Sequence, residues 1–337
     1  MMRLSGLKLF ASFFLAAILS APAWGANQAL PGTLNYVEGQ ASIGDQTLNS
    51  KSVGSVGLQA GQTLSTGTGK AEVLLTPGVF FRLGDDSAAT LVSPSLTNTE
   101  IALAKGQAMV EVDDLHKDNL LRVQQAGAVT ELRKTGLYGF DAENGAVRVF
   151  QGEALVNDGD RQVKVKGGHE FDIANASSTG KLNTAKFDKS RYQSAELYRF
   201  SNLRSEYMAE ANVNAASLYY PGAAGWYGPG WYWDSAFWEY TWIPGDGFFT
   251  GPFGYGFYSP FFVGYAPYYY GRPYGYYRGR PFVTGHRPVV AGRPGFNGNG
   301  GFHGPAGGHV GASHFGGMNS GGFHGGGFHG GGGGFHR

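Results

Sequence analysis

From Leu34 to Ile173 the chain is interrupted, at intervals of roughly ten residues, by glycine, asparagine, aspartate and serine. The runs between these breaks are rich in valine, leucine and phenylalanine, side chains that suit a pleated, half-buried surface. Reversals this frequent leave no room for long helices. The spacing therefore predicts an all-β domain, a sandwich or roll of about a dozen short strands, with a β-helix-like stack as the alternative. Alternation is plain in Ala146-Val147-Arg148-Val149-Phe150 and Gln162-Val163-Lys164-Val165-Lys166, and is read likewise in Ala71-Glu72-Val73-Leu74-Leu75 and Met109-Val110-Glu111-Val112. In each, apolar side chains are expected on one face and charged ones in water. Asn144-Gly145, Asp158-Gly159 and Gly167-Gly168 supply the positive backbone angles of tight reversals.

Past this region the pattern changes. No glycine or proline occurs between Lys181 and Tyr220, and Phe200, Leu203, Tyr207 and Ala211 recur at spacings of three and four. That predicts one amphipathic helix, its apolar stripe lying on the β domain or on a second copy of the chain, with Pro221-Gly222 ending it. From Tyr219 to Phe282 aromatic residues and glycine dominate, with five tryptophans from Trp226 to Trp242. Three readings fit this belt: packing on the β domain, which is favoured, stacking on envelope sugars, or adhesion. From Gly292 to Arg337 glycine is punctuated by Phe-His pairs, a composition expected to be disordered.

Two cations, Arg3 and Lys8, precede the apolar run Leu9 to Leu19, and Ala21-Pro22-Ala23-Trp24-Gly25-Ala26 follows. This is the anatomy of a secretory signal, cleaved after Gly25 or alternatively after Ala23, and an uncleaved anchor is the competing reading. The apolar run falls short of the roughly twenty residues that span a bilayer, so the mature protein is expected to have no transmembrane span and to be exported to the periplasm or cell surface. There is no cysteine. The core must then stand on apolar burial alone, and thiolate metal sites and cysteine nucleophiles are excluded. The expected organisation is a signal peptide over 1–25, a β domain over 26–180, the helix over 181–220, an aromatic and Gly-rich segment over 221–285, and a Gly/Phe/His-rich tail over 286–337.

Leu58-Gln59-Ala60-Gly61-Gln62-Thr63-Leu64-Ser65-Thr66-Gly67-Thr68-Gly69-Lys70-Ala71-Glu72-Val73-Leu74-Leu75 resembles the opening of a FecR-type domain. Pro77-Gly78-Val79-Phe80-Phe81-Arg82-Leu83-Gly84-Asp85-Asp86-Ser87 resembles its glycine-centred hairpin, Val147 to Ala154 its late strand-glycine-strand unit, and Val165-Lys166-Gly167-Gly168-His169-Glu170 its closing turn. The resemblance covers roughly Leu34 to Ile173. Thr135-Gly136-Leu137-Tyr138-Gly139-Phe140 departs from it, standing where the family has a glycine-threonine pair before an aromatic. In well-known members the domain is periplasmic, receives a signal from an outer-membrane receptor, and is joined through a membrane helix to a cytoplasmic anti-sigma segment. Here the resemblance implies the extracytoplasmic module without that segment or that helix. The Arg204 to Asn212 stretch and Trp226-Tyr227-Gly228-Pro229-Gly230-Trp231-Tyr232-Trp233 are similar to exported FecR-domain proteins of environmental bacteria such as acidobacteria.

No constellation for catalysis stands out, and no cofactor is expected. His169-Glu170 lacks a second histidine at zinc-protease spacing, there is no G-x-S-x-G elbow, and His116 sits in a solvated charge cluster. Gly67-Thr68-Gly69-Lys70 lacks the hydroxyl and the helix of a phosphate loop and reads as a hairpin turn. Asp85-Asp86 falls short of the six to eight oxygens that calcium takes and reads as a surface turn. Seven of the nine histidines lie from His286 onward, and His303, His324, His329 and His336 are the candidates for weak divalent metal uptake by the tail. Tyrosine and arginine interleave from Tyr268 to Arg280 as in RNA-binding tails, but a formal charge of +1 and export argue against nucleic acid. The expectation is a non-enzymatic envelope module that binds an envelope protein or polysaccharide, and the alternative is an adhesive or matrix protein acting through its tail.

Overall fold

The computed structural model describes residues 29–220 and 225–266. In chain order the elements are β1 (Leu34–Ile43), β2 (Gln46–Thr47), β3 (Thr63–Leu74), β4 (Val79–Leu83), β5 (Ala88–Ser95), β6 (Asn98–Lys105), β7 (Gln107–Val112), β8 (Leu120–Gln125) and β9 (Ala128–Leu132). There follow β10 (Gly136–Asp141), β11 (Ala146–Gln151), β12 (Glu153–Asp158), β13 (Arg161–Lys166), β14 (His169–Asp172), α1 (Ile173–Thr179), β15 (Ala185–Lys186), α2 (Lys189–Gln193) and α3 (Glu196–Ser217). Two hairpins close the described chain, β16 (Gly230–Asp234) with β17 (Glu239–Ile243), and β18 (Phe248–Thr250) with β19 (Gly256–Tyr258).

The first fifteen strands form one sheet, in the order β13-β12-β9-β8-β6-β5-β3-β4-β7-β10-β11-β14-β15, with β1 on β3 and β2 on β1. One apolar cluster takes side chains from both ends of that path, Val156, Val163 and Val165 at one and Val147, Val149 and Phe171 at the other, together with Ile101, Val123, Phe81 and Val110 from between. A flat sheet could not bring these together. The sheet therefore curls into a roll around a single core, as the all-β reading expected. Asn144-Gly145 joins β10 to β11, Asp158-Gly159 joins β12 to β13, and Gly167-Gly168 joins β13 to β14.

β3 makes the curl. Its first residues pair with β5 (Thr63↔Thr90) and its last with β4 (Leu74↔Phe80), while β1 accompanies it between. Gly67-Thr68-Gly69-Lys70, expected as a hairpin turn, lies inside this strand, where β3 carries a bulge against β1. A Cβ on Gly69 would stand 2.4 Å from the Glu38 carbonyl oxygen and 2.5 Å from the Gln40 nitrogen, so glycine serves close backbone approach there, not reversal.

The helical stretch is realised as short α2 and long α3. The buried face of α3 is Phe200, Arg204, Ser205, Met208, Ala211, Asn212 and Ala215, with Leu203 and Tyr207 only half buried. The Phe200, Leu203, Tyr207, Ala211 stripe is thus turned part-way off the contact, because the surface beneath α3 is charged. The aromatic belt through Ala266 packs as favoured: Trp231, Tyr240, Trp242 and Phe257 join Met208 of α3 over Leu74 and Phe80 of the roll. Residues 1–28, 221–224 and 267–337, and with them the expected signal peptide, the tail and His303, His324, His329 and His336, lie outside the described residues. No helix among the described residues is long and apolar enough to cross a membrane.

Candidate functional site

On β3, β4 and β7 the side chains that face away from the roll's core are Glu72, Arg82 and Glu111, each fully buried. Glu72 and Glu111 were expected in water. Instead α3 and β17 cover them and contribute Arg204 and Glu239, giving a ladder of alternating charge. Arg82 Nε donates to Glu72 at 2.7 Å and Arg82 Nη1 to Glu111 at 2.5 Å. Arg204 Nη2 donates to Glu72 at 2.9 Å and to Glu239 at 2.7 Å. Ser205 donates to Glu111 at 2.6 Å. Asn35 of β1 donates to Glu72 (3.0 Å) and to the Tyr240 carbonyl (3.0 Å), and accepts from the Tyr240 amide (2.8 Å), pairing like a stretch of backbone with β17. Asn212 does the same for the two hairpins, donating to the Trp242 and Tyr258 carbonyls and accepting from the Tyr258 amide.

Burial disfavours the charged form of Glu72, but the Arg204 and Arg82 guanidiniums overcome it and hold this carboxyl at about 2. Glu239 meets one guanidinium only, and burial with the nearby Glu72 charge pushes it up to about 7. Burial also raises Glu111. Asp113, just past β7, is raised well above the ordinary aspartate range by burial and by the neighbouring Glu111 charge. Neither Asp113 oxygen has a donor, and both Asp113 and Glu111 carboxyls face Gly251 of the second hairpin, where an added Cβ would lie 2.8 Å and 3.2 Å from their oxygens. The ladder binds the cover to the roll. Sealed from solvent, its carboxyls are beyond the reach of a substrate.

A second feature faces outward. At the C-terminal end of α3 a small core of Ala215, Ala216, Tyr232, Ile243, Tyr258 and Val263 carries a rim of aromatic side chains. Tyr232 has Trp226 stacked at 5.3 Å and Tyr227 at 4.6 Å, Phe248 stacks on Tyr258 at 5.8 Å, and Phe262 meets Tyr265 at 6.1 Å. Tyr227 and Phe248 are each 59 % exposed and Tyr265 is 79 % exposed, so open ring faces are gathered around one end of the helix.

Of the positions singled out in the sequence, Asp85-Asp86 is a turn, with Asp86 in the left-handed region and Asp85 paired to Lys70 at 3.0 Å. His116 is exposed beside Asp114 (3.4 Å), and His169 opens β14. Gly136 to Phe140 enters β10, which pairs in even register with β7 and meets a bulge of β11 at Leu137 and Tyr138, with Tyr138 buried and its hydroxyl donating to the Lys134 carbonyl. Among the described residues no group of three or more His, Asp or Glu side chains could hold a metal ion. The structure does not bring the singled-out residues together. What it brings together is Glu72, Arg82, Glu111, Asp113, Arg204 and Glu239, for which sequence reasoning assigned no role.

The roll, antiparallel except where β6 runs parallel to β8, is closed by its own helix and hairpins over a buried set of paired charges. Residues 62–155, within the roll, match the family model described as FecR protein. No curated protein matches it. Two crystal structures of a candidate anti-sigma factor from Parabacteroides distasonis are similar at 14 % and 12 % identity, over 40 % and 42 % of this chain, with TM-scores of 0.34 and 0.33. The chain spans 64 % of the length of each.

Proposed function

We propose that the chain is a non-enzymatic, exported FecR-like module of the cell envelope that binds an envelope protein or polysaccharide in a sensing role. The FecR match carries this reading. Its support is that the buried carboxyls Glu72, Glu111 and Glu239 are taken up in pairs with Arg82 and Arg204 that hold α3 and β17 on the roll, while open surface is offered by the aromatic rim. The test is binding of the full mature chain to envelope extracts: saturable capture of one component, retained after washing at high salt, is expected. A chain that folds but shows no saturable partner overturns the reading.

The adhesive alternative places the work in residues 267–337, whose tyrosines and arginines suit sugar rings and flat matrices. Removing residues 267–337 separates the two. The deletion has to start at 267, since 225–266 is part of the folded cover. A sensing module keeps its partner after this deletion, whereas an adhesive tail loses surface attachment.

A further inference from the structure

The rim ends where the described chain ends. Val263 lies in the small core, Ala266 packs against it, and Tyr265 is the most exposed aromatic of the rim. The sequence continues Pro267-Tyr268-Tyr269-Tyr270-Gly271-Arg272-Pro273-Tyr274-Gly275-Tyr276-Tyr277-Arg278-Gly279-Arg280. Charge is divided along the chain at this point. All 25 acidic residues lie between Glu38 and Asp246, against 18 lysines and arginines in residues 29–266, whereas residues 267–337 hold six arginines and no acid. Asp246, exposed, stands two residues before Phe248 of the rim.

We propose that the rim formed by Trp226, Tyr227, Phe248, Phe262 and Tyr265 is the docking surface for the chain's own residues 267–280. The chemistry fits on both sides. Open ring faces take tyrosines by offset stacking and arginines by cation–π contact, and an acidic body draws a cationic segment. Tethering at Ala266 puts this segment at an effective concentration of about millimolar at the rim, so contacts too weak to hold a free peptide suffice. This inference does not rest on the proposed function but bears on it: a docked segment covers the rim, so an envelope partner has to displace it or bind elsewhere on the roll.

The test uses the full mature chain and hydrogen exchange read on peptides covering 225–229, 247–250 and 260–266. In low salt the rim amides are expected to exchange about tenfold more slowly than in the R272Q/R278Q/R280Q variant, with α3 protection identical in both. Raising the salt should erase most of that difference, and Y268S/Y269S/Y270S should reproduce it. These substitutions leave residues 225–266 unchanged, and equal α3 protection in every variant is the check that the fold is kept. Equal rim exchange in all variants overturns the proposal. Protection that grows with protein concentration also overturns it and assigns the rim to a second copy of the chain.

Discussion

The two faces of the strand trio β3, β4 and β7 are built on opposite physics. The inward face, Val73, Phe81, Val110 and their neighbours, is apolar and fills the roll. The outward face carries Glu72, Arg82 and Glu111, equally buried, under a helix and two hairpins. Burial by itself therefore does not reveal which interactions hold a face. Apolar packing tolerates repacking, while a buried charge tolerates neither solvent nor the loss of its partner.

The sharpest way to break this contrast is Arg82→Met. It keeps most of the volume but leaves Glu72 with Arg204 alone and Glu111 with no cation, and is expected to cost about 3–5 kcal/mol or more in urea unfolding. Phe81→Ala, one residue away on the inward face, is expected to cost about 3–5 kcal/mol through its cavity. The two differ in rescue. Combining Arg82→Met with Glu72→Gln and Glu111→Gln should recover a large part of the first loss, since it was charge left unpaired, and no neighbouring neutralisation should help the second. Equal failure of both rescues would mean that the outward face is held by shape, as the inward one is.

The inward face was legible in the sequence because period-two alternation follows directly from strand geometry, and the turn pairs at Asn144, Asp158 and Gly167 separate the strands. The outward face was not, because its partners come from far along the chain: Arg204 reaches Glu72 across 132 residues and Tyr240 meets Asn35 across 205. A signal was nonetheless present. Leu74 shares a face with Glu72 and Phe80 with Arg82, an apolar neighbour on the supposedly wet side of each strand. The helix stripe was half misplaced for the same reason: Phe200 and Ala211 face the contact as expected, but Arg204, Ser205 and Asn212 share it where Leu203 and Tyr207 do not. Lys70 likewise looked like part of a turn because Gly67 and Gly69 flank it, and glycines that let two backbones approach read the same as glycines that reverse a chain.

Acidity offers a second, smaller lever on the comparison, because it acts on the outward face alone. Glu239 has its folded value raised to about 7 from 4.5, so the stability it contributes is complete below about 4.5 and is lost as pH rises to about 7. Glu111 and Asp113 are shifted in the same direction. Glu72, held at about 2, works oppositely: its contribution is present above about 4.5 and is lost as pH falls towards 2. The cover is therefore expected to be most stable in mildly acidic solution and to weaken by a few kcal/mol towards neutrality. Unfolding followed by the buried tryptophans across this range checks it, and Glu239→Gln should flatten the arm between 4.5 and 7. A profile unchanged by that substitution would remove Glu239 from the account.

The smallest effect is expected where the same cover meets the roll at its wet margin. Lys70 of β3 contacts Glu196 at 2.6 Å, Asp85 at 3.0 Å and Glu38 at 3.7 Å. Glu196 opens α3, where a carboxylate also favours the helix N-terminus, but its side chain is 62 % exposed. Water and salt screen such a pair, and Lys70 keeps Asp85 and Glu38 when Glu196 is removed. Glu196→Ala is therefore expected to cost no more than about 1 kcal/mol, and less in high salt. A loss comparable to that of Arg82→Met would show that the entry of α3 onto the roll, not the sealed ladder beneath it, fixes the helix in place.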